Sequence, residues 1–492
     1  MTLYLDDHTY RYELENLCRA LFAPEEVRVE EGAPPQGENY IYAGAGEAGG
    51  EMALTVAASL GGDFVRRKER LRPDPREGKS QCEHALGRML YRIVGESTGR
   101  QLPWGILTGV RPAKLIERYE TLGYTEPEIQ RAFIQDLFVA PEKYELCRDT
   151  SYREREIIAL SGPKSYSLYV SIPFCPTRCR YCSFVSQATD RERGLIPAYV
   201  EALEEEIALT GEIAAGLGLK LETVYFGGGT PTTLSAEQLG RLLDRVERCF
   251  DLGGLREFTV EAGRPDTITA EKLAALKAGP VSRISINPQA LTDEVLRTIG
   301  RGHTVEQFFK SFALARKMGF DNINTDVIAG LEGDSLSGFQ GTIDGLIGLG
   351  AENITVHTLS IKRSSTLRQD RGEAPLPGES QAAQMVRYAA GRLREEGYLP
   401  YYLYRQKNML DNLENVGYTR PGFDGLYNVY IMDETHSILA VGAGASTKLR
   451  QPGGSRIERV FNYKYPLDYL KSFEEMKKRK WQVRDFYERY MV

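Results

Sequence analysis

The sequence predicts an α/β protein in which six β/α units build one parallel sheet, preceded by a small α/β domain and followed by a mixed C-terminal region. Three observations predict it. From about Gly162 onward, short β-branched or aromatic runs alternate with longer amphipathic stretches, the pattern of βαβ units. The chain has 492 residues, too many for one core, and the pattern changes character on either side of that run. The residues that suggest chemistry fall at the carboxyl ends of the predicted strands, where parallel sheets bind ligands. The expected division is 1–160, 161–377 and 378–492.

In the first 160 residues, 40–43 and 52–59 read as strands around the Gly-rich turn AGAGEAGGE. Helical stretches follow around 84–95 and 111–119, and 153–160 reads as a linker helix leading to Gly162-Pro163. No function follows from this part. The first strand of the parallel run is SLYVSIPF (167–174), with a helix at 198–215 whose apolar residues keep helical spacing. LETVYFG (221–227) comes next, then a helix opened by Ser235 as N-cap. Residues 257–262 form the third strand, with a helix entered at Thr269. RISINPQ (283–289), NINTDVIAG (322–330) and NITVHTLS (353–360) complete the six. Such units close into a barrel or lie open as a wound sheet; either way, ligands belong at Phe174, Gly227, Glu261, Gln289 and Asp326. Beyond Gly378 come a helix at 379–396, a Tyr-rich segment, the strand-like run SILAVGAGAS (437–446) and a helical end from Asn462.

Composition narrows the function classes. With 42% hydrophobic and 26% charged residues the chain reads as an ordinary globular protein. No run approaches the roughly 18–20 apolar residues of a membrane span. MTLYLDDHTYRYELEN lacks the basic and apolar regions of a signal peptide, so a cytoplasmic location is expected. A net charge of −6 argues against a large nucleic-acid footprint, while leaving room for a local basic pocket for a polyanionic small molecule. Seven cysteines are too few for a disulfide framework.

Three of them are clustered. Cys175-Pro-Thr-Arg-Cys179-Arg-Tyr-Cys182 is a C-x3-C-x2-C loop directly after the first strand, stiffened by Pro173 and Pro176. Three thiolates that converge on an iron–sulfur cubane leave one of its four irons open, and an open position is what a substrate-binding metal site needs. The competing readings are a zinc knuckle, which needs a fourth Cys or His, and three unrelated buried cysteines. The five histidines are all remote from the loop in sequence. Cys18, Cys82, Cys147 and Cys249 are isolated and read as small buried apolar residues. Gly227-Gly228-Gly229-Thr230 ends the second strand, where the missing Cβ atoms let the main chain approach a ligand. Glu261 on an apolar strand is costly unless paired or exposed.

The segment Y-V-S-I-P-F-C-x3-C-x-Y-C-x-F (169–184) resembles the cluster loop of the radical S-adenosylmethionine (SAM) superfamily. More closely, it resembles the oxygen-independent coproporphyrinogen III oxidase (coproporphyrinogen dehydrogenase) family, in the branch with an N-terminal extension and a three-cysteine loop. The resemblance runs from about Tyr166 to Ser360, more weakly through the Gly-rich run. It implies a partial (β/α)6 barrel with a 4Fe-4S cluster on Cys175, Cys179 and Cys182. It places SAM against Gly228, Gly229, Thr230, Glu261, Gln289, Arg301 and Asp326, with Tyr169 and Tyr181 bordering cluster and cofactor and Ser360 a weaker candidate. Gln289 and Arg301 match the partners of SAM hydroxyls and carboxylate, the latter suited to a planar guanidinium fork.

The implied chemistry is reductive cleavage of SAM to a 5′-deoxyadenosyl radical, hydrogen abstraction from a propionate β-carbon, and loss of carbon dioxide to give a vinyl group. Done twice, this converts coproporphyrinogen III to protoporphyrinogen IX. The implied partners are a tetrapyrrole (coproporphyrinogen III or haem) and a low-potential electron donor such as flavodoxin or ferredoxin, with Lys362-Arg363 as a candidate contact for substrate carboxylates. The sequence departs from the family's decarboxylases twice: Ser183-Phe184 follows Cys182 where they carry C-x-C, and Ser171 stands where they carry His. Both departures occur in relatives that act as haem chaperones or perform other tetrapyrrole chemistry.

Overall fold

Two sheets organise the protein. The computed structural model describes all residues except 7–8, 24, 35–38, 75–78, 183–189, 361–379, 407–408 and 492. Lys362-Arg363 therefore lies outside the described residues. The chain forms two compact units, one of Met1–Ser151, Arg368–Gln384 and Leu403–Asn415, the other of Tyr152–Leu367, Met385–Tyr402 and Val416–Val492. These cuts differ from a division at 160 and 377. Residues 403–415 join the first unit through buried polar contacts: Glu414 accepts from Trp104 Nε1 at 2.7 Å and Lys143 Nζ at 2.5 Å, and Arg405 donates to the Leu107 carbonyl at 2.7 Å. No periodicity in the sequence announces such contacts.

In the first unit, β1 (Thr2–Asp6), β2 (Arg28–Glu31), β3 (Tyr40–Ala48), β4 (Glu51–Leu60) and β5 (Asp63–Leu71) form a sheet in the order β2-β1-β3-β4-β5. Both strands around the Gly-rich turn are present, as an antiparallel pair. Helices Arg11–Phe22 and Ser80–Thr98 bury Leu14, Leu17 and Leu21, and Leu86, Leu90 and Ile93. The sequence DFVRRKERL conceals β5, because an edge strand bristling with charge resists further pairing and so lacks apolar alternation.

The second sheet contains β6 (Ser165–Ile172), β7 (Lys220–Gly228), β8 (Glu257–Glu261), β9 (Arg283–Ser285), β10 (Ile323–Ala329) and β11 (Asn353–Thr358) side by side and parallel, the partial barrel. Beyond them lie β12 (Leu399–Tyr404), β13 (Asn415–Thr419), β14 (Ser437–Val441), β15 (Ser446–Arg450) and β16 (Ile457–Phe461), in the full order β12-β13-β11-β10-β9-β8-β7-β6-β14-β15-β16. The run SILAV thus adds a further parallel strand against β6. Outward residues such as Val224, Phe226, Phe258, Val260 and Ile284 are wholly buried. The helix Ala236–Cys249 starts where Ser235 and Gln238 form a reciprocal capping box, and Thr269 caps Ala270–Ala278.

The inward face is polar, and its amino-terminal end is closed by the helix Leu426–Asp433, whose Leu426 and Tyr427 amides donate to Glu257 at 2.6 and 3.3 Å. Tyr169, Tyr225 and Tyr427 stack inside, with ring centroids 6.2, 6.2 and 4.5 Å apart. Among the described residues no helix is long and apolar enough to cross a membrane.

Candidate functional site

The cysteine loop leaves β6 at Ile172 and is tied down on two sides. The Arg180 amide donates to the Ile299 carbonyl at 3.0 Å, and the Arg180 guanidinium meets Glu332 at 3.1 Å. On the other side, Arg264 donates to Thr177 Oγ1 at 3.0 Å and to Cys179 Sγ at 3.7 Å. Cys175 Sγ lies 3.4 Å from Thr230 Oγ1. Cys175, Cys179 and Cys182 form no disulfide and are half-buried. Among the described residues no three ligating side chains are closed around one point, the three cysteines included. Folding brings the thiols into one loop, and metal bonds are what draw such ligands together.

The Gly-rich segment runs hard against this loop. The Gly229 amide donates to the Ile172 carbonyl at 2.8 Å, and the Thr230 amide to the Phe174 carbonyl at 2.7 Å. A Cβ on Gly229 would lie 2.6 Å from the Phe174 carbonyl oxygen, and Gly228 adopts φ 110°. Any side chain would push the two loops apart.

Around the mouth stand the polar residues nominated from the sequence. Glu261 accepts from Tyr225 Oη at 2.6 Å. Burial pushes the Glu261 carboxyl up to about 7, with the nearby Asp326 charge adding and the Tyr225 bond opposing. Asp326 accepts from Asn287 Nδ2 and Asn324 Nδ2, both at 2.7 Å. Burial opposes its charge, but His357, whose Nε2 stands 3.9 Å away, together with the Asn324 bond and the Arg283 charge, holds it below the usual carboxylate range. Gln289 adopts φ 67°, a left-handed conformation that a non-glycine residue adopts at a cost, pinned by hydrogen bonds to Asp326 and Ile328. Arg301 donates to the Gly263 carbonyl at 3.2 Å. Burial works against the charge of Arg301, but Tyr181 and Cys179 beside it raise its pKa; burial also raises the Tyr181 hydroxyl.

The cofactor fit can be judged from hydrogen bonds that are not made. Gln289 Oε1, Arg301 Nε and both ring nitrogens of His303 are buried without a hydrogen-bond partner. Buried polar atoms are almost always paired; Arg67, Arg283, Asp334, Asn353 and Arg405 carry unpartnered atoms elsewhere, and what distinguishes Gln289, Arg301 and His303 is that they share the carboxyl-end side of the parallel sheet. An acceptor, a guanidinium and a polar mouth suit the hydroxyls and carboxylate of an amino-acid nucleoside, and three thiols suit a cluster.

Residues 169–346 match the model of the radical SAM superfamily. The chain is 38% identical over 432 residues to the oxygen-independent coproporphyrinogen-III oxidase-like protein HemZ of Bacillus subtilis, covering 86% of this chain and 85% of that protein. It belongs to the radical SAM family of oxygen-independent coproporphyrinogen III oxidase-like proteins. Its cofactors are a 4Fe-4S cluster and SAM. Another relative of this family member is the heme chaperone HemW of the same bacterium, 33% identical over 308 residues, 62% of this chain and 76% of that one. In fold it is similar to the radical SAM coproporphyrinogen III oxidase HemN of Escherichia coli, with TM-score 0.51 and 22% identity over 66% of this chain and 73% of that one.

The site also contains residues that the sequence reading of this family member missed. Arg264, Asn287, His303 and His357 carry no motif by themselves, although Arg264 follows Glu261 in the short run EAGRPD. Tyr427 comes from a helix far along the chain, and nothing local connects it to Tyr169. Ser360 lies half-buried just past the end of β11.

Proposed function

We propose that Cys175, Cys179 and Cys182 hold the cluster, that SAM lies against Tyr169, Tyr181, Gly228, Gly229, Thr230, Glu261, Gln289, Arg301 and Asp326, and that the chain oxidatively decarboxylates coproporphyrinogen III to protoporphyrinogen IX without oxygen. The observation that carries the cofactor part is the pair of unpartnered buried atoms, Gln289 Oε1 and Arg301 Nε, beside the cysteine loop. The substrate part rests on the relatives' names.

When bound, cluster and SAM supply one-electron chemistry that removes hydrogen from an unactivated carbon. The chain's own residues bind, orient and shield. Arg301 presents a fork that pairs with a carboxylate. Gln289 offers an acceptor to a hydroxyl, and the glycines let the main chain close on the ligand. Glu261, poised near neutrality, accepts hydrogen bonds when ionised. The stack of Tyr169, Tyr225 and Tyr427 fills the lumen and keeps water from the reacting centre. A low-potential donor such as flavodoxin or ferredoxin supplies the electron, and a cytoplasmic location accords with that supply.

A second reading, a haem-transfer protein, is favoured by Ser171. This residue is buried, donates to the Ala443 carbonyl at 2.8 Å, and its own carbonyl accepts from Tyr199 at 2.8 Å, so the side chain that stands in place of the family's His is turned into packing. The deciding experiment incubates anaerobically reconstituted protein with SAM, a low-potential reductant and coproporphyrinogen III. Protoporphyrin with 5′-deoxyadenosine supports decarboxylation. Stoichiometric haem binding without tetrapyrrole product supports transfer, and deoxyadenosine alone means a different substrate.

A further inference from the structure

Arg264 lies in the loop after β8 and is only 3% exposed. Its guanidinium is fully committed. Nε and one terminal nitrogen donate to the two carboxylate oxygens of Asp266 at 2.9 and 2.8 Å. The same terminal nitrogen donates to Thr177 Oγ1 at 3.0 Å, and the other approaches the Thr177 carbonyl at 3.4 Å and Cys179 Sγ at 3.7 Å. The fork with Asp266 fixes the plane of the guanidinium, so the remaining N–H groups have one direction to point, toward the cysteine loop.

Hydrogen bonds from Thr230 and Arg264 are among the contacts that reach cysteine sulfurs in this loop. Thr230 meets Cys175 with a neutral hydroxyl at 3.4 Å, whereas Arg264 meets Cys179 with a cationic donor. Hydrogen bonds to cluster sulfurs are among the levers that set a cluster's reduction potential, and a charged donor is roughly twice as strong as a neutral one. One-electron reduction makes the cluster and its thiolates more negative. A donor therefore stabilises the reduced state more than the oxidised one and raises the potential.

We infer that Arg264 is a positioning residue that raises the reduction potential of the cluster through its N–H contact with Cys179, bringing the electron from a low-potential donor within reach. The inference rests on Cys179 being a cluster ligand, and it does not depend on which substrate the enzyme uses. Asp266 is part of the device: it cancels the net charge and holds the fork, so the effect on Cys179 is local.

The test uses the full chain, reconstituted anaerobically, with two readouts: iron and sulfide per chain, and the midpoint potential from an EPR-monitored titration with dithionite. Arg264→Gln is expected to keep its iron and to become about tenfold harder to reduce, ~59 mV lower for a one-electron couple. Arg264→Lys, which keeps a cation but loses the fork, is expected to fall between that variant and the parent. Thr177→Val removes the loop tie but leaves the sulfur contact, and its potential is expected to match the parent's. Full iron content with an unchanged potential in Arg264→Gln would overturn the inference. So would loss of iron from both Arg264 variants, since the residue would then be a loop clamp. Cys179→Ala separates the underlying assignment: if it retains full iron, the ligand reading fails, independently of any result at Arg264.

Discussion

Two buried polar clusters, one near each end of the parallel sheet, keep opposite accounts of their hydrogen bonds, although Arg283 Nε and Asn353 Oδ1 at the amino-terminal end are also unpartnered. At the amino-terminal end, Glu222 at the start of β7 is bonded by Ser161 at 2.8 Å and by Ser165, with Arg256 at 3.3 Å. His436 just before β14 uses both ring nitrogens, to Ser167 and Ser161, each at 3.0 Å, and its ring stacks on Tyr430. At the carboxyl end, His303 uses neither nitrogen, and Gln289 and Arg301 each leave an atom unmatched. Burial is common to both ends, so burial does not identify a site. An unpaired buried atom costs on the order of 1–3 kcal/mol, and it persists where a ligand completes it.

The largest effect that tests this contrast is loss of the cluster. Alanine at Cys175, Cys179 or Cys182 is expected to reduce bound iron to background after reconstitution, as measured by colorimetric iron assay. Glu222→Ala at the opposite end is expected to retain its iron in full. Full iron content in any one of the cysteine variants would remove that cysteine from the ligand set.

Ligand affinity comes next. Gln289→Ala and Arg301→Met are expected to weaken SAM binding by about 10–100-fold, the loss of one or two hydrogen bonds to a charged or strongly polar group. The Gln289→Ala midpoint should stay level or rise, because Oε1 lacks a partner in the ligand-free protein, whereas Arg301→Met also gives up the bond to the Gly263 carbonyl and should lose a little stability. Equilibrium dialysis with reconstituted protein and a urea titration of the same sample check both halves. Lower stability with unchanged SAM affinity would make these residues structural.

At the other end the signs reverse. Glu222→Ala strips acceptors from Ser161, Ser165 and Arg256 and is expected to cost about 2–3 kcal/mol of stability, with SAM affinity unchanged. A stable Glu222→Ala variant would mean that the network is bridged by water.

How much of this was legible in the sequence depends on how local each signal is. The β/α alternation, the capped helices at Ser235 and Thr269 and the strand ends at Gly227 and Glu261 all stand within a few residues of their cause, and all are present. The cysteine spacing is local too. Arg264 and His303 act across chain turns, and no periodicity encodes which loop a guanidinium will reach. Strand β5 was hidden for a different reason: its inward and outward positions both carry charge, Arg67 pairing with Glu96 while Arg66 and Lys68 face water, so the period of two disappears. Residues 403–415 illustrate the same limit on a larger scale, since Trp104, Leu107 and Lys143, about 300 positions away, explain their place.

The smallest expected effect is a pH dependence, and it belongs to the paired cluster of Glu222 and His436. Burial, together with the Arg256 and Arg450 charges and against the pull of Glu222, holds the His436 imidazole down to about 4, from an ordinary 6.5. Between those values the unfolded chain binds a proton that the folded chain refuses, so stability is fully present above pH 6.5 and is lost as the pH falls toward 4. The Glu222 carboxyl, held below its ordinary 4.5 by the Ser165 and Ser161 bonds against the cost of burial, extends the loss to lower pH with the same sign. Glu261, raised to about 7, contributes the opposite sign in the same window, so the His436 share is read as the difference in slope between the parent and His436→Gln in urea titrations from pH 7 to 4.5. His436→Gln should be less stable at pH 7, because it gives up at least one of two bonds, yet its midpoint should fall less steeply. His303 is also held down to about 4 by burial and by Arg301, and in the SAM site proposed above a bound SAM would add a charge to that balance. The two histidines can thus be told apart: added SAM should leave the His436 share of the slope alone, and a slope that SAM abolishes entirely would place the titrating group at the carboxyl end instead.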